Sequence, residues 1–172
     1  MRLAVVALAA AALLGCQSVR EAEGPRASAQ LQPTTGNTTT GSASFTQVGD
    51  KVRLVAAVSG LTPGQEHGFH VHEAGDCSSG DGMSAKSHFN PYGRPHGNPA
   101  GAERHAGDMP SLKADASGTA NVDTMLDVMT VRPGPASVVS RGLIVHLNPD
   151  DYATQPTGNA GARLACGVIN PA

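Results

Sequence analysis

Seven histidines occur among the 172 residues, and they are grouped rather than scattered. His70-Val71-His72 lies in a short apolar run at 68–72, where a strand would turn residues two apart to the same face. Both imidazoles can then reach one ion. Alone this pair is weak evidence, because two histidines in a strand are more often polar side chains with ordinary partners. His146 sits inside Leu143-Ile144-Val145-His146-Leu147, where an unpaired polar ring would be costly. A metal ion is one partner that would satisfy it. His96, His105 and Asp108 form a further set with loop spacing, three ligands of the kinds zinc accepts in a tetrahedral shell. That set lacks a fourth ligand.

Such side chains need elements to hold them. Residues 51–59 alternate, with Val52, Leu54, Ala56 and Val58 on one face and Lys51, Arg53, Val55 and Ala57 on the other, the period of a half-buried strand. Leu61-Thr62-Pro63-Gly64 supplies a turn. Similar runs at 27–32, 39–47, 68–72, 118–126, 141–147 and 165–169 are separated by Gly, Pro, Asn and Asp. Outside the leader, no stretch has a convincing helical period. Seven or eight short strands predict an all-β fold, an antiparallel Greek-key β-sandwich or flattened barrel. With no Trp, three Phe and two Tyr, its core is expected to be built from Val, Leu, Ile and Ala.

Residues 73–110 show little strand character, and loops beyond about 12–15 residues in a compact domain are usually functional or disordered. This one carries Cys77, His88, His96, His105 and Asp108. A disulfide and metal ligands can replace the hydrogen-bond ladder it lacks, so long metal-binding loops are expected on the sandwich.

The first residues read as a targeting segment. Arg2 precedes an apolar run at 3–14, shorter than the roughly 20 residues of a membrane span but right for a signal-peptide core. Leu13-Leu14-Gly15-Cys16 resembles the bacterial lipoprotein signal, which implies that 1–15 are a signal peptide and that Cys16 becomes a lipidated N-terminus; ordinary signal cleavage is the alternative. Residues 16–26 then form the lipidated Cys and a flexible tether, and 27–172 the folded domain. The expected location is the periplasmic side of a bacterial membrane, held by the lipid. If Cys16 is lipidated, Cys77 and Cys166 remain as a pair, and an oxidising compartment favours a disulfide over two buried thiols.

Composition narrows the function further. With 21 Gly and 12 Pro the chain is rich in turns without being of low complexity. Removing Arg2 with the leader changes the formal charge from −2 to −3, which makes nucleic acid an unsuitable partner.

Four segments, in order, resemble the copper-zinc superoxide dismutase family: Gly68-Phe69-His70-Val71-His72-Glu73, Ser87-His88-Phe89-Asn90-Pro91, Glu103-Arg104-His105-Ala106-Gly107-Asp108, and the run from Gly158 through Arg163 and Cys166 to Ile169. The similarity covers nearly everything from about Ala27 to Asn170. It implies that His70, His72, His88 and His146 hold copper, and that His88, His96, His105 and Asp108 hold zinc, one ion of each per chain. His88 would be shared as an imidazolate, so that one ring fills a place in both shells. Imidazole nitrogens suit copper(II), and an N3O set suits zinc. The resemblance further implies that Asp150 accepts hydrogen bonds from a histidine of each site, that His67 is structural, and that Arg163 draws superoxide to copper. His88 and Arg163 are thus the expected catalytic residues, and superoxide the substrate. Members of the family differ in whether they pair, so monomer and homodimer both stay open.

One departure matters. Residues 151–157 read Asp-Tyr-Ala-Thr-Gln-Pro-Thr, shorter than the matching loop of eukaryotic members and without its charges. Attraction of an anion must then come from Arg163, with Lys86, Arg94 and Lys113 as further candidates. Two other readings compete: a lipid-anchored copper buffer with the same ligands, and a binuclear hydrolase. An arginine beside an open copper face argues against the first, and a bridging histidine in place of carboxylates against the second.

Overall fold

The computed structural model describes residues 23–172. The ten strands are β1 (Glu23–Pro33), β2 (Thr40–Val48), β3 (Lys51–Ser59), β4 (Glu66–His67), β5 (Phe69–His72), β6 (Leu112–Lys113), β7 (Ala120–Leu126), β8 (Gly142–His146), β9 (Arg163–Val168) and β10 (Asn170–Pro171). A single 3-10 turn at Met83–Ala85 is the only helical element among the described residues. The fold is all-β, every ladder between these strands is antiparallel, and the main path runs β5-β8-β9-β1-β2-β3-β7, with β10 beside β1. Connections from β3 to β5, from β5 to β7 and from β7 to β8 cross between the ends of this path, the Greek-key pattern expected from the sequence.

β1 joins the two halves. Residues 26–31 pair with β2, while Gln32 and Pro33 pair with Cys166 and Ala165 of β9. A strand that changes partners in this way makes a corner between the two halves of a sandwich. β1 also begins before the expected Ala27. Glu23 pairs with Val48 and Arg26 with Thr46, the register shifting between them. Gly24 and Pro25, which look like linker in the sequence, belong to this strand and sit at a bulge where a residue without an N–H is tolerated. Residues 1–22, with Cys16, lie outside the described residues.

β3 shows the alternation read from its sequence, with Val52, Leu54, Ala56 and Val58 buried and their neighbours exposed. Ala43 and Phe45 of β2 and Ala27, Ala29 and Leu31 of β1 lie beside them on the same face of the sheet, Phe45 opposite Leu54 and Ala43 opposite Ala56. The core departs from the aliphatic expectation in one respect: Phe45, Phe69 and Phe89 are all buried, as are Met109 and Met129. All three phenylalanines are thus used inside, where burial of a side chain of this size stabilises by about 1.5–3 kcal/mol, while Met83, Met125 and Tyr92 are exposed.

β5 and β8 are buried on both faces. Phe69 and Val71 of β5 and Leu143 and Val145 of β8 point into the core. The alternate residues His70, His72, Ile144 and His146 lie on the opposite side, which the long loops cover. Ile144 packs there with Ala85 and Cys166, with Cys77 against them. The Cys77–Cys166 disulfide, with Cα atoms 5.8 Å apart and a sequence separation of 89, ties the loop to β9. Constraining a loop of that length removes about 4.6 kcal/mol of freedom from the unfolded chain in the entropic account.

Candidate metal centre

Strand periodicity places the first ligands. His70 and His72 share a face of β5, and β8 pairs with β5 in the register His70↔Ile144 and His72↔Gly142, which sets His146 on the same side. The loop then adds to the free edge of β5: His72 is bridged to His88 and His70 to Asp108. Val71 N–H donates to Gly107 O and Phe89 N–H to Val71 O, while Gly107 N–H donates to Phe89 O. Three backbones meet at Gly107, and a Cβ there would lie 2.2 Å from Val71 O. Only glycine allows this convergence, and the convergence is what delivers His88 and Asp108 to the face that carries His70 and His72.

Two groups of four ligands result, all buried: His70, His72, His88 and His146, and His88, His96, His105 and Asp108, with the ligand atoms of each group within 4.8 Å of one another. His88 belongs to both. Its ring centroid lies 3.9 Å from that of His70, 5.0 Å from His72, 5.3 Å from His96, 5.6 Å from His105 and 6.2 Å from His146. Its Nδ1 lies 2.9 Å from Asp108 Oδ1, while its Nε2 is buried with no protein partner. One nitrogen of the ring thus contacts a carboxylate of the second group, and the other is left without a protein partner.

Outer hydrogen bonds fix which nitrogen of each remaining ring turns inward. His72 Nδ1–H donates to Lys86 O (2.8 Å) and His146 Nδ1–H to Gly161 O (3.2 Å). Both Nε2 atoms are then lone pairs, and they face each other at 3.3 Å. Burial, reinforced by neighbouring histidines, holds both rings well below their ordinary pKa and so neutral. Two opposed lone pairs without a proton between them need a cation, which makes this a fit for a metal. His70 Nδ1 is likewise buried and unpartnered. Burial, outweighing the bond to Asp108, pushes His88 down to about 4.

The second group centres on Asp108, whose oxygens lie 2.9 Å from His88 Nδ1, 3.1 Å from His96 Nδ1 and 3.2 Å from His105 Nδ1. Burial alone would raise this carboxyl, yet contact with three imidazoles holds it far below the usual range. His96 shows the converse: burial is overcome by Asp108 and Asp150, which raise it to about 9. Three nitrogens and one carboxylate are the donor set zinc takes.

Asp150 connects the groups. Its Oδ2 accepts from His70 Nε2 (2.7 Å) and its Oδ1 from His96 Nε2 (2.9 Å). Gly158, with φ +64°, lets the chain pass against this contact, since a Cβ there would lie 1.9 Å from Asp150 Oδ1. Tyr152 N–H donates to Asp150 Oδ1, and Ser111 N–H donates to the Tyr152 hydroxyl. His67 stands outside both groups, its Nδ1–H donating to His146 O at 2.9 Å.

Arg163 faces His146 across the β8/β9 pair, where a bulge shifts the register. Its guanidinium is half-buried and donates to Gly82 O and Lys86 O. Lys86 O therefore serves both Arg163 and His72, from a residue whose backbone has a positive φ of 64°. Of the other cations considered for steering, Arg94 is paired with Glu103 (2.6 Å), Lys86 Nζ lies 3.8 Å from Glu73, and Lys113 is in the small β4/β6 pair. Sequence reasoning missed the carbonyls of Lys86 and Gly161 and the roles of Ser111, Tyr152 and Gln155. Backbone acceptors carry no residue-type signal, and the three side chains act only through folded proximity.

An antiparallel sandwich carrying two adjoining groups of buried ligands that could each hold a metal ion, with His88 common to both, is the arrangement of a metalloprotein. A family model described as copper/zinc superoxide dismutase matches residues 39–169. The chain is also 40% identical over 150 residues, covering 84% of its length and 86% of the relative's, to superoxide dismutase [Cu-Zn] 2 of Aquifex aeolicus (strain VF5). The chain belongs to the copper/zinc superoxide dismutase family; dismutation of superoxide, with copper and zinc as cofactors, is the activity of that family.

Proposed function

We propose that the chain dismutates superoxide to dioxygen and hydrogen peroxide, with copper at His70, His72, His88 and His146 and zinc at His88, His96, His105 and Asp108. The observation that carries this reading is the single buried ring of His88, with Nδ1 on the Asp108 side and Nε2 unpartnered on the other. Copper bound there supplies one-electron redox chemistry, so that one superoxide leaves as dioxygen and the next, with two protons, as hydrogen peroxide.

The protein's residues do the rest. Arg163 has N–H donors beyond the two given to Gly82 and Lys86, and its fixed charge beside His72 and His146 attracts and orients a small anion. Whenever it does not ligate copper, His88 Nε2 would be the atom that holds a proton for the peroxide. Backbone carbonyls keep His72 and His146 in the tautomer that turns Nε2 inward. With three nitrogens and a carboxylate, the zinc group leaves no open position, which suits a structural role.

Metal analysis with electron paramagnetic resonance of the copper tests this. One copper and one zinc per chain, with a copper signal altered by zinc removal, is the expected result. A His88→Ala variant that keeps full turnover and both metals at full occupancy would falsify the shared-ring reading.

We further propose export, cleavage before Cys16 and attachment of a lipid to its sulfur, placing the enzyme on the periplasmic side of a bacterial membrane. Support comes from Arg2, the apolar run at 3–14 and Leu13-Leu14-Gly15-Cys16. Labelled fatty acid should enter the wild type and not Cys16→Ser, which should fractionate as soluble protein; equal labelling of both removes the proposal.

A further inference from the structure

Among the six metal-site histidines, His96 has the least regular backbone: residues 93–98 belong to no strand, turn or bridge. Its peptide is nonetheless paired on both sides. His96 N–H donates to Gln155 Oε1 at 2.9 Å, and Gln155 Nε2–H donates to His96 O at 2.9 Å. One side-chain amide thus supplies the donor and the acceptor that a neighbouring strand would supply. The same loop grips the ring of His96 through Asp150 Oδ1. His96 is therefore held at backbone and side chain by residues 150 and 155 together.

We infer that Gln155 is a positioning residue for His96 and sets how firmly zinc is retained. This inference rests on the zinc assignment proposed above. The chemistry is specific to a carboxamide: a glutamate at 155 keeps an acceptor for His96 N–H but sets a carboxylate against His96 O, and an alanine offers neither partner. Gln155 is at the exposed surface of its loop, so its removal leaves no core cavity and water partly replaces the lost bonds. The effect should therefore fall on the placement of one ligand rather than on the fold.

The experiment compares holoenzyme of the wild type, Gln155→Ala, Gln155→Glu and His96→Ala. Zinc transfer to a chromophoric chelator is followed over time, alongside copper electron paramagnetic resonance and the melting temperature of each metal-free chain. Both Gln155 variants should release zinc about tenfold faster, a factor equal to about 1.4 kcal/mol. Their copper signal before zinc release and their metal-free melting temperature should match the wild type. Wild-type release rates in both variants overturn the inference, as does a rise in zinc release accompanied by an equal loss of metal-free stability, which would make Gln155 a general loop residue. A wild type without stoichiometric zinc, or His96→Ala retaining it as the wild type does, instead brings down the zinc assignment itself.

Discussion

His72 and His146 face each other through their Nε2 atoms at 3.3 Å, each ring having given its Nδ1–H to a backbone carbonyl. Neutral, buried and opposed, these rings are complementary to a cation and to little else. Without one, the site is a destabilising element of the fold, which leads to the first prediction.

Metal-free protein should lose stability as pH falls from about 6.5 to about 4. His88 has a folded pKa of about 4, and His72 and His146 are also lowered, so the unfolded chain takes up protons that the folded chain refuses. His88 alone costs about 3 kcal/mol at the lower end. His96 is raised, so its contribution is fully present below 6.5 and is lost only as pH rises through about 9. Asp108 and Asp150 are lowered, and theirs is lost only below the ordinary carboxyl range, outside this window. Urea unfolding of metal-free protein across pH 4–7 measures the slope; a flat profile would mean the rings are not held neutral.

Asp150→Asn should lower zinc affinity by about 10–100-fold and alter the copper spectrum. An amide cannot accept from His70 and His96 at once, because only one of its two heads is an acceptor. Competitive zinc titration and the copper signal together check it, and an unchanged pair of results would show that the link between sites is dispensable.

Arg163→Ala should lower the bimolecular rate with superoxide by about tenfold or more, and Arg163→Lys by less, since charge returns without the planar fork. The wild-type rate should fall as salt is added, and the alanine variant should respond more weakly. Stopped-flow decay of superoxide at several ionic strengths gives both numbers. A salt-insensitive wild type would show that attraction by the protein's charges contributes nothing.

Reduction of the Cys77–Cys166 disulfide should lower melting temperature and activity together. The bond anchors the loop carrying Gly82 and Lys86, whose carbonyls hold Arg163. Ser variants at both positions, compared with the wild type by calorimetry and turnover, separate these effects; full activity in a destabilised Ser pair would disconnect the bond from Arg163.

Much of this protein was legible before folding was considered. Two-residue periodicity marked β3 to the residue and located β2, β5, β7, β8 and β9 within one or two positions, because a face that must be buried writes itself into alternate residues. β4, β6 and β10 escaped, since two residues cannot display a period. Residue type likewise singled out His70, His72, His146, His96, His105 and Asp108, because imidazole and carboxylate in apolar or ordered surroundings need partners. Which partners those were is not written in residue type: the resemblance to the family implied the sharing of His88 and the link through Asp150, and the folded chain supplies the contacts behind them. That Lys86 O serves His72 and Arg163, and that Gln155 grips His96, only the tertiary structure decided, because these contacts join segments distant in sequence. Composition and spacing carry no record of such contacts: they are made by backbone groups every residue has, and by a loop whose course follows from what it packs against.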